Sequence, residues 1–118
     1  MNTGRNEVLE LSYEFALLII DYTEELEDHK KFVVAKQLLR SGTSIGANIN
    51  EAQSAESRAD FIHKLKIAHK EVFETEYWLK LVKSSKHYPY PDLKIENLLT
   101  SIDKLLNKII SSSKNIKP

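Results

Sequence analysis

Arg40-Ser41-Gly42-Thr43-Ser44-Ile45-Gly46-Ala47-Asn48-Ile49-Asn50-Glu51-Ala52 holds two of the chain's three glycines, yet it reads as helix. Leu38, Ile45, Ile49 and Ala52 keep apolar residues at three-, four- and seven-residue spacing through it, the rhythm of one helical face. Each glycine costs a helix about 0.8–1 kcal/mol relative to alanine, so packing has to supply the compensation. Gly42, Gly46 and Ala47, with the short hydroxyl side chains between them, are expected to strip one face of bulk and let a neighbouring helix approach closely. The message of this segment is architectural; it brings no reacting group.

The rest of the chain is equally free of breakers. No proline precedes Pro89, no glycine follows Gly46, and β-branched alternation is missing. The periodicity predicts an all-α chain of four helices over about 5–28, 31–55, 58–86 and 92–113, in one domain spanning 1–118. Ser57 followed three residues later by Asp60 resembles a capping box that starts the third helix, and Pro89 and Pro91 separate it from the fourth. Residues from Ser111 to Pro118 are expected to fray. Short connections favour an up-down antiparallel four-helix bundle.

Apolar stripes predict the core: Val8, Leu11, Phe15, Leu18, Tyr22 and Leu26 in the first helix; Phe61, Leu65, Ala68, Val72, Thr75, Leu79 and Val82 in the third; Ile95, Leu98, Ile102, Leu105 and Ile109 in the fourth. Two helices carry a further stripe, Leu9, Tyr13, Ala16 and Ile20 in the first and Ile62, Phe73 and Tyr77 in the third. A lone bundle leaves such faces in water, so the pattern predicts contacts between copies.

At 118 residues, 42% hydrophobic and 29% charged, the chain has the composition of an ordinary globular domain. It has no cysteine, which removes disulfides, thiolate metal ligands and cysteine nucleophiles together. The longest apolar run, Phe15 to Ile20, is far short of the roughly 20 residues of a membrane span. A cytoplasmic location without membrane attachment is the expectation. Zero net charge conceals a split: residues 1–56 carry five Lys/Arg against ten Asp/Glu, and residues 57–118 carry twelve against seven. Such asymmetry predicts a nucleic-acid-facing half, or complementary surfaces that meet in an assembly.

Reactive constellations are sparse. Di-iron bundles use a pair of Glu-x-x-His motifs, and the nearest approach here is a single Asp60-x-x-His63, so no metal, cofactor or small-molecule substrate is expected. Glu71, Glu74 and Glu76 read as a solvated face or as partners of lysines four residues away, such as Lys80 for Glu76. Neither a nucleophile elbow nor a Walker-type phosphate loop is present. Arg58 and His63 match the Arg-x4-6-His spacing of HEPN-type ribonucleases, in which an arginine steers phosphate and a histidine moves the proton; that is the enzymatic alternative. On the third helix Lys66, His69, Lys70, Phe73, Tyr77 and Lys80 share one broad arc, where lysines neutralise phosphates and aromatics stack on bases.

Arg40-Ser41-x-Thr43-Ser44-Ile45-Gly46-Ala47-Asn48-Ile49-x-Glu51-Ala52, then Ser57-x-x-Asp60-Phe61-Ile62-x-Lys64 and Ile67-Ala68-x-x-Glu71-x-x-Glu74-x-x-Tyr77-Trp78-Leu79, resembles the four-helix bundle family encoded by intervening sequences of bacterial 23S rRNA genes. The resemblance spans nearly the whole chain. It implies a bundle assembling as a cyclic homo-oligomer, a pentamer among relatives, and similarity to the accessory protein of diversity-generating retroelements, which is thought to bind nucleic acid and reverse transcriptase. The expected function is thus a non-enzymatic homo-oligomer that partners RNA, DNA or a nucleic-acid enzyme.

Overall fold

Small residues on α2 decide how the helices meet. The computed structural model describes residues 4–115, which form α1 (Arg5–Asp28), α2 (Phe32–Ala52), α3 (Arg58–Ser84) and α4 (Leu93–Lys114), with no strand among the described residues. A β-carbon added to Gly42 would lie 3.0 Å from Ile19 Cγ2, and one added to Gly46 would lie 3.4 Å from Ser12 Oγ. The two glycines therefore form the seam against α1. Ala47, one step around the helix, is exposed instead of facing a neighbour. Thr43 and Ser44 turn their hydroxyls back onto the carbonyls of Leu39 and Arg40, satisfying themselves within α2.

This close approach also corrects the expected stripe of α1. Ser12, Ile19 and Thr23 join Val8, Phe15, Tyr22 and Leu26 in the core, while Leu11 and Leu18 are only half-buried. The glycine face draws Ser12 and Ile19 into the seam. The buried hydroxyls of Ser12 and Thr23 donate to the carbonyls of Leu9 and Ile20, each at 3.1 Å. On α4 the buried line runs through Leu99 and Leu106, with Leu98 and Leu105 half-buried beside it. The stripe expected on α3 is buried throughout.

Element ends differ from expectation by local hydrogen bonding. α2 stops at Ala52 because the N–H groups of Gln53, Ser54 and Ala55 tighten onto carbonyls three residues back. Lys30 takes a left-handed backbone (φ 63°) ahead of α2. Ser85 is extended and ends α3 two residues before Lys86. Asp92 caps α4 by accepting from the Lys94 N–H at 2.8 Å, and that helix continues through Ser111–Ser113 to Lys114 instead of fraying. Ser57 accepts from the Asp60 N–H at 3.0 Å, as the capping pattern requires. Residues 1–3 and 116–118 of the expected 1–118 domain lie outside the described residues.

α1 packs on α2 and α4, and α3 packs on α2 and α4, so α1 and α3 occupy opposite corners of a four-helix bundle measuring 53 × 22 × 19 Å. Polar pairs mark the seams. Arg40 on α2 reaches Glu71 and Glu74 on α3, and Lys64 bonds Glu51 at 3.0 Å. His69 meets Asp103, and Lys83 meets Glu96, across α3 and α4. Inside the α2–α3 seam the Thr75 hydroxyl lies 2.9 Å from Ser41 Oγ and 2.7 Å from the Glu71 carbonyl. Tyr22 donates to the Pro89 carbonyl at 2.6 Å, pinning the α3–α4 connection to α1. Burial pushes the Tyr22 hydroxyl well above the usual phenol range.

Candidate functional site

Because α1 and α3 sit at opposite corners, their outer arcs point away from each other. On α1, Tyr13, Leu17 and Ile20 are exposed to 68%, 48% and 38%. At 100° per residue they share an arc of about 120° with the exposed acids Glu10, Glu14, Asp21 and Glu24. Leu9 and Ala16 flank this arc half-buried. On α3, Phe73 and Tyr77 are exposed to 57% and 58%. They share an arc of about 80° with the exposed Lys66, Lys70 and Lys80. One face is acidic around an apolar strip; the other is basic around an aromatic one.

His69 departs from the expected nucleic-acid arc. Its ring is turned toward α4, where Nε2–H donates to Asp103 Oδ1 at 2.6 Å, and its side chain is 18% exposed. Phe73 covers it at 4.7 Å between ring centroids. Glu76 completes an acidic neighbourhood: burial first, then the Asp103 charge, raises its carboxyl above the usual range, with His69 opposing. This replaces the expected Glu76–Lys80 partnership with a setting governed by α4. Ile62 is half-buried, so it belongs to the margin of the core and not to the open face.

Glu71 and Glu74 are also not a simple solvated face. Both pair with Arg40, and Trp78 Nε1–H donates to Glu74 at 3.1 Å. Hydrogen bonds from Arg40 and then Trp78 hold the Glu74 carboxyl below its ordinary range. The Arg40 pairs belong to the α2–α3 seam, and spacing within a single helix gives no sign of them.

Arg58 and His63 are both exposed, and five residues set them about 140° apart around α3. Arg58 lines a cavity of about 390 Å³ at one end of the bundle together with Arg5, Glu56, Phe61 and Ser113; His63 is not among its walls. Arg5 occupies part of that end by stacking over the Phe61 ring at 4.1 Å. Within one chain the two residues do not converge. Among the described residues no three His, Asp or Glu side chains are grouped to hold a metal ion. Among the described residues no helix is long and apolar enough to cross a membrane.

These elements define an all-helical bundle whose distinctive surfaces are two oppositely charged, apolar-centred faces. The chain belongs to the 23S rRNA-intervening sequence protein family, whose model matches residues 4–111. It is similar to the crystal structure of a protein with unknown function from the S23 ribosomal protein family of Bacteroides thetaiotaomicron VPI-5482. The two are 50% identical with a TM-score of 0.86, and the match covers 92% of this chain and 98% of that one. Among curated proteins none matches significantly.

Proposed function

We propose that this chain is a non-enzymatic building block that assembles with copies of itself, the acidic α1 face of one copy docking on the basic α3 face of the next. The observation that carries this reading is the opposed pair of faces: Tyr13, Leu17 and Ile20 among acids, Phe73 and Tyr77 among lysines. Apolar centres supply the buried area and the charged rims select the register. Different surfaces joined head to tail close into a ring when the rotation per copy permits. The family resemblance supports a ring of five. An up-and-down antiparallel course is supported by the seam pairs, since Lys64–Glu51 and Arg40–Glu74 run in opposite chain directions, as do His69–Asp103 and Lys83–Glu96.

A second reading gives the same α3 face to nucleic acid, and the exposure of Phe73 and Tyr77 beside Lys66 and Lys70 favours it, because stacking rings among cations suit unpaired bases. Sedimentation of the protein at micromolar concentration separates the two. Assembly predicts a species several times the monomer mass, reduced to monomer by the triple substitution Lys66→Glu, Lys70→Glu and Lys80→Glu. A wild-type monomer overturns the assembly reading. An assembled triple variant that has lost nucleic-acid capture favours the second.

A further inference from the structure

The outer arc of α4 differs in chemistry from those of α1 and α3. Lys94, Lys104 and Lys108 share it with Asn97, Ser101 and Ser111; all are exposed, and at 100° per residue they fall within about 100°, opposite the buried line through Ile102 and Leu106. No acid lies in this arc, and its one large apolar residue is the exposed Leu93, at the first position of the helix. The two acids of α4 are turned aside, Asp103 onto His69 and Glu96 onto Lys83, so both face α3 and neither pairs with the lysines of their own helix. At the far end Lys114 lies against Lys66, and that neighbouring ammonium makes Lys114 easier to deprotonate than usual.

Helix formation does not account for these choices. Serine and asparagine are poorer helix formers than alanine, lysine or glutamate, and a face kept only for solubility gains more from alternating Glu and Lys. Uncharged hydroxyls and amides between lysines are instead the groups that bond phosphate oxygens and ribose hydroxyls, with the lysines displacing counterions. An acidic protein surface would need the lysines alone.

We propose that the outer arc of α4, through Lys94, Lys104 and Lys108 with Asn97, Ser101 and Ser111 between and beside them, binds the phosphate–ribose backbone of single-stranded RNA without reading its sequence. The site lies apart from both faces assigned to assembly, and it does not depend on the α1–α3 contact. With one phosphate neutralised per lysine, the affinity falls about 18-fold per site between 50 and 200 mM salt, from a single-strand slope of about −0.7 per phosphate.

The test uses the full chain and a fluorescein-labelled 20-residue oligouridylate, with binding read by anisotropy and assembly by sedimentation of the same samples. Wild type is expected to bind with that salt dependence. The variant Lys94→Gln, Lys104→Gln, Lys108→Gln is expected to lose at least tenfold in affinity at 50 mM salt, with unchanged helical circular dichroism and sedimentation. The variant Asn97→Ala, Ser101→Ala, Ser111→Ala raises helix propensity, so loss of fold cannot explain its effect; it is expected to weaken binding several-fold while keeping the salt slope. Absence of wild-type binding at 50 mM salt overturns the proposal, as does wild-type affinity in the lysine variant. Dissociation of the assembly by the lysine variant also overturns it, because α4 would then be a subunit contact. Failure of the assembly reading shows in the sedimentation of wild type alone.

Discussion

Replacing Gly42 and Gly46 separately by alanine separates the close approach of α1 from simple helix propensity. A β-carbon at position 42 would stand 3.0 and 3.1 Å from the Ile19 γ-carbons and 3.4 Å from its Cβ. Ile19 is fully buried and β-branched, so its χ1 has little freedom to yield. Alanine gains about 1 kcal/mol of helix propensity, against about 1–3 kcal/mol for overpacking. Gly42→Ala is thus expected to be neutral to destabilising by about 2 kcal/mol. At position 46 the nearest atoms, all of Ser12, lie at 3.4–3.5 Å, ordinary contact or its edge. Gly46→Ala is expected to keep most of its propensity gain, whereas Gly46→Leu places branched carbons in the same seam and costs about 1–3 kcal/mol. Thermal melts at one protein concentration should rank Gly46→Ala above Gly42→Ala by about 1–3 kcal/mol, roughly 3–9 °C for a domain of this size. Combining Gly42→Ala with Ile19→Ala removes the γ-carbons and should show favourable coupling in a double-mutant cycle. Gly42→Ala melting above both wild type and Gly46→Ala would refute the packing argument.

Thr75→Val removes a buried hydroxyl bonded to Ser41 and to the Glu71 carbonyl, and should cost about 1–2 kcal/mol by denaturant titration. Adding Ser41→Ala should cost little more, because both partners are then gone. Tyr22→Phe loses the bond to Pro89 and should cost about 0.5–1.5 kcal/mol near neutral pH. The folded state raises the Tyr22 pKa, so wild type binds that proton more tightly than the unfolded chain and should lose this stabilisation as pH rises above about 10, a decline shallower in the variant. The raised Glu76 carboxyl works in the same direction: its contribution is full below the ordinary carboxyl range and is lost as pH rises through the folded value. Glu76→Gln should therefore melt slightly above wild type at pH 7, with the advantage gone in acid.

Most of the architecture is legible in the chain. Breaker-free apolar periodicity yields four helices, and the Gly42–Gly46 spacing locates a close seam. Which side of α1 enters that seam is not legible, because stripes of similar apolarity run through Leu11–Leu18 and Leu9–Ile20; the choice falls to Ser12 and Ile19 once the neighbour's glycines are in place. Surface chemistry follows the period of a single helix only in part. His69 belongs by spacing to the lysine arc, yet Asp103, 34 residues away, draws it to the α4 seam. Glu71 and Glu74 find Arg40 on α2 and not a lysine on their own helix. Long-range ion pairs depend on the packing register, which a one-dimensional period does not contain. The lysines left on the outer arc of α4 emerge for the same reason: only the fold shows that Glu96 and Asp103 are engaged by Lys83 and His69 on α3.

The central claim is that unlike faces join copies of this chain, and mixing two half-blocked variants tests it most directly. One variant carries Leu17→Lys and Ile20→Lys on α1 and keeps the α3 face. The other carries Lys66→Glu, Lys70→Glu and Lys80→Glu on α3 and keeps the α1 face. Light scattering at micromolar concentration should show each alone as a monomer, and an equimolar mixture as a heterodimer of twice the monomer mass, through the one intact pair of faces. Either variant assembling alone as wild type does, or a mixture that stays monomeric while wild type assembles, would contradict the account.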